Sequence, residues 1–177
     1  FRGIESANFS GRAIVIGPVG SGKTAIVRRF SEDLKKHLSD IRRILPVHIN
    51  CRNHPTTSQV LQRIAQNLDH RHPERGFSPG EIIQNIRRNL QNSGKHMLLV
   101  LDEVSVLLLR EGDDLLYQLL RIDEGREEVG TLSLILVSQE PMVHLFEAAV
   151  KSRFGHSNRI KLNPYKENEL WAHSEYT

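Results

Sequence analysis

The stretch that decides the fold is VIGPVGSGKTAIV, Val15 to Val27, in which GPVGSGKT matches the pattern GxxxxGK[ST] at every fixed position. The short apolar run Ala13 to Ile16 before it is typical of a buried strand. After it, Thr24 to Leu38 carries apolar residues at helical spacing, namely Ile26, Val27, Phe30, Leu34 and Leu38. The pattern therefore lies between a strand and a helix, which is the position that its chemistry requires.

This arrangement of residues predicts a phosphate-binding loop. Glycines let the backbone amides turn inward, and the following helix offers its unpaired amides and the positive end of its dipole to an anion. Lys23 reaches the terminal phosphates, and Thr24 is left to hold Mg²⁺. The alternative is a tight turn with an incidental lysine. The candidate nucleotide-binding residues are Gly17, Pro18, Val19, Gly20, Ser21, Gly22, Lys23, Thr24 and Ala25.

Composition describes one globular domain inside a cell. The 177 residues correspond to a single domain at roughly 100 to 200 residues per domain, and 38% of them are hydrophobic. The longest apolar runs, Met97 to Leu101 and Val106 to Leu109, are too short to span a bilayer, so we expect neither a membrane segment nor a signal. The single cysteine, Cys51, indicates a reducing compartment. A net charge of +3 is compatible with nucleic acid but does not single it out.

The rest of the chain alternates between strand and helix patterns. We predict further strands at Ile44 to Asn50, His96 to Leu101, Leu132 to Val137 and Arg159 to Leu162. We predict further helices at Thr56 to Leu68, Pro79 to Leu90, Asp113 to Ile122 and Met142 to Val150. Strands separated by helices indicate an α/β fold with a mostly parallel five-stranded sheet and helices on both faces.

Two carboxylates follow the most apolar predicted strand. Leu98 to Leu101 runs directly into Asp102 and Glu103. We expect Asp102 to orient Mg²⁺ through water and Glu103 to activate a water for attack on the γ-phosphate. By itself the pair would be an exposed acidic turn. A nucleoside kinase fits less well, because no feature marks a pocket for the phosphate acceptor.

Gln139 and Arg153 extend this predicted site. Gln139 follows the strand Leu132 to Val137, whose carboxyl end we expect beside the phosphate-binding loop, where an amide can touch the γ-phosphate or the attacking water. Arg153 near a helix end is a candidate arginine finger, donated to the ATP of a neighbouring subunit. The alternatives are an ordinary loop amide and a cation that complements the helix dipole.

Six segments in order resemble the AAA+ replication initiators, the archaeal and eukaryotic origin recognition complex and cell-division-cycle initiator family. They are GPVGSGKT, LLVLDE, VHINCR, GDDLLYQLLRIDE, SLILVSQE and VKSRF, and the resemblance runs from about Gly11 to Trp171. It implies a P-loop NTPase of the AAA+ type that binds ATP or ADP with Mg²⁺. It also implies an ATP-dependent switch that recognises origin DNA, assembles with a neighbouring AAA+ subunit and helps to load the replicative helicase. The protein would be cytoplasmic in an archaeon and nuclear in a eukaryote.

The resemblance also implies a domain layout. Residues 1–165 would form the nucleotide-binding α/β domain, residues 166–177 would begin a helical lid, and a winged-helix domain that carries most of the DNA affinity would lie outside this chain. The insertion Asp69 to Gly80 falls where initiators carry an element that approaches DNA. Arg71 and Arg75 would contact phosphates there and Phe77 would act as a wedge, whereas the alternative is an exposed loop.

Two departures from the family pattern leave other functions open. The family usually has an acidic residue where this chain has Ser105, and an asparagine where it has Gln139. We therefore expect slow hydrolysis. One alternative is an initiator-like subunit that holds ATP without useful hydrolysis. Another is an AAA+ ATPase associated with signalling or transposition.

Overall fold

The sheet of the protein has five parallel strands in the order β2-β3-β4-β1-β5. A computed structural model describes residues 10–37, 43–73, 75–122, 132–139, 141–154 and 158–164. The predicted α/β architecture is confirmed, including all five predicted strands. Their bounds are β1 Arg12–Ile16, β2 Ile44–Asn50, β3 His96–Asp102, β4 Leu132–Ser138 and β5 Arg159–Lys161.

Six α-helices connect or flank these strands within the described residues. They are α1 Lys23–His37, α2 Thr57–Leu68, α3 Pro79–Ser93, α4 Val104–Glu111, α5 Asp114–Leu120 and α6 Ala148–Phe154. Local sequence accounts for several ends: the Thr56 hydroxyl accepts from the amide of Gln59 at the start of α2. Ser78 and Glu81 form a reciprocal capping box at the start of α3. None of the helices among the described residues has the length and apolar character needed to cross a membrane.

The sheet is buried on both faces, which explains why its central strands are so apolar. Every residue of β3 and β4 is buried. On one face Leu99, Leu101 and Leu134 belong to the larger core, together with residues of α2 to α6. On the other face Val100, Ile135 and Val137 pack with Val27 of α1. The predicted placement of helices on both faces is therefore confirmed.

The structure corrects the sequence prediction at two places in the larger core. Helix α4 was not predicted, although Val104, Leu107 and Leu108 bury a stripe at helical spacing. The single helix predicted for Met142 to Val150 is wrong, because a 3₁₀ turn at Val143–Leu145 ends at Phe146, which is extended (φ −89°, ψ 136°). Phe146 is buried there, and the amide of Glu147 donates to the carboxylate of Asp113 at 2.7 Å. This contact satisfies an amide outside a helix, so α6 begins only afterwards.

We predict that Leu107→Ala lowers the free energy of unfolding by about 2 to 5 kcal/mol, because it leaves a cavity in the larger core. Leu107 is 0% exposed, whereas its helix neighbour Leu109 is 74% exposed. Leu109→Ala is therefore the matched control and should change the free energy by no more than about 0.5 kcal/mol. Urea unfolding of the three chains measures the difference; equal losses in both variants would contradict the placement of α4.

Candidate nucleotide-binding site

The candidate site lies at the edge of the sheet where parallel strands end side by side. The loop 17–22 follows β1, Asp102 ends β3, and Gln139 follows β4. The amide of Gly17 donates to the carbonyl of Ser138 at 3.3 Å, which joins the ends of β1 and β4. Crevices at the carboxyl ends of parallel strands are where open α/β sheets bind ligands.

The loop needs glycine at two positions for different physical reasons. A Cβ at Gly17 would lie 2.7 Å from Ser21 Oγ and 2.8 Å from the carbonyl oxygen of Leu162, so any side chain would clash with backbone. Gly22 has φ 76°, in the left-handed region that glycine adopts without steric cost. The shape of the loop therefore accounts for glycine at these two positions.

The side chain of Lys23 reaches back into the loop 17–22, whose carbonyl groups accept its hydrogen bonds. Its side chain Nζ donates to the carbonyl oxygens of Gly17 and Pro18, both at 2.7 Å, and the residue is 7% exposed. An ammonium group has three donors and no acceptor, and these two carbonyls satisfy two of the donors. Val19, by contrast, is 78% exposed at the loop tip. That Lys23 reaches the terminal phosphates of a nucleotide stays a prediction.

Thr24 and Asp102 meet at the beginning of α1. Thr24 Oγ1 donates to Asp102 Oδ2 at 2.7 Å, and the amide of Glu103 donates to Asp102 Oδ1 at 3.0 Å. Nε2 of His48 lies 3.3 Å from the same Oδ2. Burial opposes ionisation of Asp102, but the hydrogen bonds from His48, Thr24 and Glu103 outweigh it, so the pKa of Asp102 lies below its usual value. The carboxylate is ionised and held by three donors.

Thr24 and Asp102 fit the Mg²⁺ that the sequence predicts. Both offer hard oxygen atoms, which Mg²⁺ prefers, and their oxygens are 2.7 Å apart. No group of three or more His, Cys, Asp or Glu side chains that could form a metal cage occurs among the residues described. Mg²⁺ in nucleotide sites uses one or two protein oxygens and takes its other ligands from phosphates and water. These residues therefore suit a metal that arrives with a nucleotide.

Glu103 is the most constrained residue of the site. Its backbone has φ 53°, an unusual left-handed value for a residue with a side chain, at the start of α4. Gln139 Nε2 donates to both carboxylate oxygens, at 2.9 and 3.1 Å, and Arg52 Nη2 lies 3.6 Å from Oε2. The structure thus brings Gln139 to Glu103, the residue predicted to activate water. The Glu103 carboxylate is engaged from two sides.

The remaining predicted site residues lie on other elements. Arg153 is on α6, where its Nη1 donates to the carbonyl of Leu120 at 3.3 Å. Arg71, Arg75 and Phe77 lie on the exposed loop between α2 and α3. Among the described residues of this loop, Phe77 stacks on His72 (ring centroids 5.5 Å apart), Gln62 donates a hydrogen bond to the carbonyl of Pro73, and the Arg71 amide donates one to Asp69. The predicted lid at 166–177 falls outside the described residues.

Strand β2 and the turn that follows it contribute residues that sequence reasoning did not place in the site. His48 contacts Asp102 and Arg52 contacts Glu103, whereas the sequence singled out Asn50, Cys51 and Arg52 only as part of a resemblance. The alternation of side chains along β2 was readable, but its position beside β3 was not. Cys51 is buried, and burial together with the nearby carboxylates raises its pKa to about 12, so its thiol stays protonated.

Comparison with known proteins gives consistent matches. The AAA domain family matches residues 10–146. The ORC1-type DNA replication protein 2 of Saccharolobus solfataricus is 30% identical over 175 residues, which cover 96% of this chain and 42% of that protein. The ORC1-type DNA replication protein of Desulfurococcus amylolyticus is 29% identical over 160 residues, covering 90% of this chain and 40% of the relative. The chain thus spans about two fifths of the length of these relatives.

Solved structures agree in fold. The Aeropyrum pernix ORC1 protein in complex with DNA has a TM-score of 0.83 and 27% identity, covering 98% of this chain and 47% of that one. The Aeropyrum pernix ORC2 protein in ADPNP-ADP complexes has a TM-score of 0.82 and 25% identity over the same shares. The AAA domain family matches residues 10–146, and the relatives described above are ORC1-type proteins, so the chain belongs to the AAA domain family and, within it, to the AAA+ replication initiators.

Proposed function

We propose that this chain is the ATP-binding and ATP-hydrolysing module of a replication initiator that acts on origin DNA. The observation that carries the proposal is the convergence of Lys23, Thr24, Asp102 and Glu103 at one edge of the sheet. That the similar Aeropyrum pernix ORC2 protein was solved in ADPNP-ADP complexes supports ATP and ADP as the nucleotides.

The proposed chemistry follows from the hydrogen-bond partners that a bound nucleotide would replace. Lys23 Nζ, now bonded to the carbonyls of Gly17 and Pro18, would bind phosphate oxygens together with the amides of the loop. Thr24 and Asp102 would hold Mg²⁺, and the metal would supply charge that stabilises the phosphates. Glu103 accepts the proton of the attacking water. Since its carboxylate is engaged by Gln139 and Arg52, it must first exchange one of these partners, and we expect slow turnover.

The same contacts support one alternative, a subunit that holds ATP without useful hydrolysis. Gln139 occupies both oxygens of Glu103, and Ser105 stands where the family usually has an acidic residue. In that case the nucleotide would be a structural ligand. The two functions differ in what nucleotide remains on the protein after long incubation: ADP indicates hydrolysis, and persistent ATP indicates the inert subunit.

Assembly and DNA binding belong to the same proposal. Arg153 would act as an arginine finger on the ATP of a neighbouring subunit after releasing the carbonyl of Leu120. The α2 to α3 loop would contact DNA through Arg71, Arg75 and Phe77, with most of the affinity in a winged-helix domain outside this chain. The similar Aeropyrum pernix ORC1 protein in complex with DNA supports DNA as a partner. We further infer a helical lid from residue 166 onward and a replicative helicase as partner. Because the compared relatives are archaeal, we also infer a cytoplasmic location.

We predict that Lys23→Ala lowers ATP affinity by at least about 100-fold, because two charge-assisted hydrogen bonds to phosphate are lost at about 1.5 to 3 kcal/mol each. Titration with a fluorescent ATP analogue measures the affinity. Lys35→Ala, at an exposed position of the same helix, is the control and should bind as the unsubstituted chain does. Equal affinity in Lys23→Ala and the control would contradict the phosphate assignment.

We predict that Glu103→Gln binds ATP within about twofold of the unsubstituted chain but hydrolyses it about 10² to 10⁴ times more slowly, because the amide cannot accept a proton from water. Phosphate release under single-turnover conditions measures the rate. Glu147→Gln, at an exposed position, should keep the original rate. Hydrolysis at the original rate in Glu103→Gln would remove Glu103 from the reaction.

We predict that replacing Arg71 and Arg75 together by alanine weakens binding to duplex DNA and reduces the slope of log affinity against log salt by about 2 units, because two phosphate contacts are lost. Fluorescence anisotropy at several salt concentrations measures both quantities. Replacing Lys35 and Lys36 on α1 removes the same charge from another exposed surface and should leave the slope unchanged. An unchanged slope in the arginine variant would leave the loop without a role in DNA binding.

A further inference from the structure

His48 reaches the metal side of the candidate site from the edge strand β2. It lies opposite Val100 of β3 in the parallel register, and Asp102 follows Val100 by two residues. Side chains alternate between the two faces of a strand, so His48 and Asp102 share a face and are diagonal neighbours. Their side chains meet, with Nε2 of His48 3.3 Å from Oδ2 of Asp102.

The chemistry of the pair decides which atom carries the proton. An aspartate is ionised at neutral pH, and an ionised carboxylate only accepts hydrogen bonds. Nε2 of His48 must therefore carry a hydrogen and donate it. Oδ2 then accepts from both His48 and Thr24, while Oδ1 accepts from the amide of Glu103. Without His48, the Thr24 hydroxyl would be the donor left at Oδ2 among the contacts described, beside the Glu103 amide at Oδ1, and that hydroxyl is also the predicted ligand of Mg²⁺.

One side of the His48 ring borders open space. A cavity of about 150 Å³ lies between α1 and β2, and His48 is one of its walls together with Ser31, Pro46 and Val100. The His48 side chain is 21% exposed. The hydrogen bond to Asp102 therefore contributes to the observed orientation of the ring.

We propose that His48 is a positioning residue for the Mg²⁺-nucleotide complex. By donating Nε2–H to Asp102 Oδ2, it holds this carboxylate toward Thr24 and so sets how tightly the nucleotide site takes up Mg²⁺. His48 acts through Asp102 and does not itself touch the nucleotide. The proposal rests on the proposed function, since it requires that the chain binds a nucleotide with Mg²⁺.

A pair of amide variants separates the donor from the shape of the ring. In His48→Gln the amide nitrogen takes the position of Nε2 and still reaches Asp102. In His48→Asn it takes the position of Nδ1 and falls short. Both variants are polar and uncharged, so they are matched controls for each other. His48→Leu, which removes the donor with an apolar side chain, is a second donor-free variant should the asparagine variant fail to fold.

The measurement is the affinity for a fluorescent ADP analogue as Mg²⁺ is titrated, repeated in EDTA. We expect His48→Asn and His48→Leu to raise the Mg²⁺ concentration for half-maximal tightening by about 10-fold or more, the usual effect of losing a residue that orients a metal ligand. His48→Gln should stay within about threefold of the unsubstituted chain. In EDTA all four chains should bind ADP equally.

Each contrary result has a distinct meaning. A donor-free variant with the original Mg²⁺ dependence overturns the proposal, and so does an equal shift in His48→Gln and His48→Asn, because the donor would then be irrelevant. An unsubstituted chain that binds no nucleotide at any Mg²⁺ concentration overturns the proposed function and, with it, the role of His48. An unsubstituted chain that responds to Mg²⁺ while the variants match it overturns the role of His48 alone.

Discussion

The structure depends on the parallel alignment of β3 with its neighbours. The backbone ladder pairs Asn50 with Asp102 on one side of β3 and Leu101 with Leu136 on the other. β4 in turn pairs with β1, so that Ile16 lies opposite Ser138. Because parallel strands all point the same way, the polar residues that follow each strand collect at one edge of the sheet. The site is a consequence of this alignment.

Electrostatic balance within the site explains why its charged groups tolerate partial burial. Lys23 is neutralised locally by carbonyl dipoles, Asp102 by three donors, and Glu103 by an amide and a guanidinium. A buried charge without such partners would cost several kcal/mol. In the proposed function, a phosphate oxygen, a metal ion or a water would replace some of these partners.

Short-range patterns in the sequence predict much of the fold and part of the candidate site. The GxxxxGK[ST] spacing, the apolar run before Asp102 and the helical stripe after Thr24 each have a short-range physical cause, so they were readable without coordinates. Helix α4 could not be predicted in this way, because an apolar run as short as Val106 to Leu109 suits a strand or a helix equally. The break at Phe146 depends on Asp113, a residue over thirty positions away that captures the amide of Glu147.

The sequence by itself determined that the chain has a GxxxxGK[ST] loop between a strand and a helix, a pair of carboxylates after a buried strand and an alternating α/β order, since these follow from spacing and periodicity within one segment. Only the tertiary structure decided that Gln139 and Arg52 hold Glu103 and that His48 holds Asp102. Those contacts join strands far apart in sequence. Their physical cause is strand order: β2 and β4 lie on either side of β3, and no local pattern in the chain encodes which strands become neighbours.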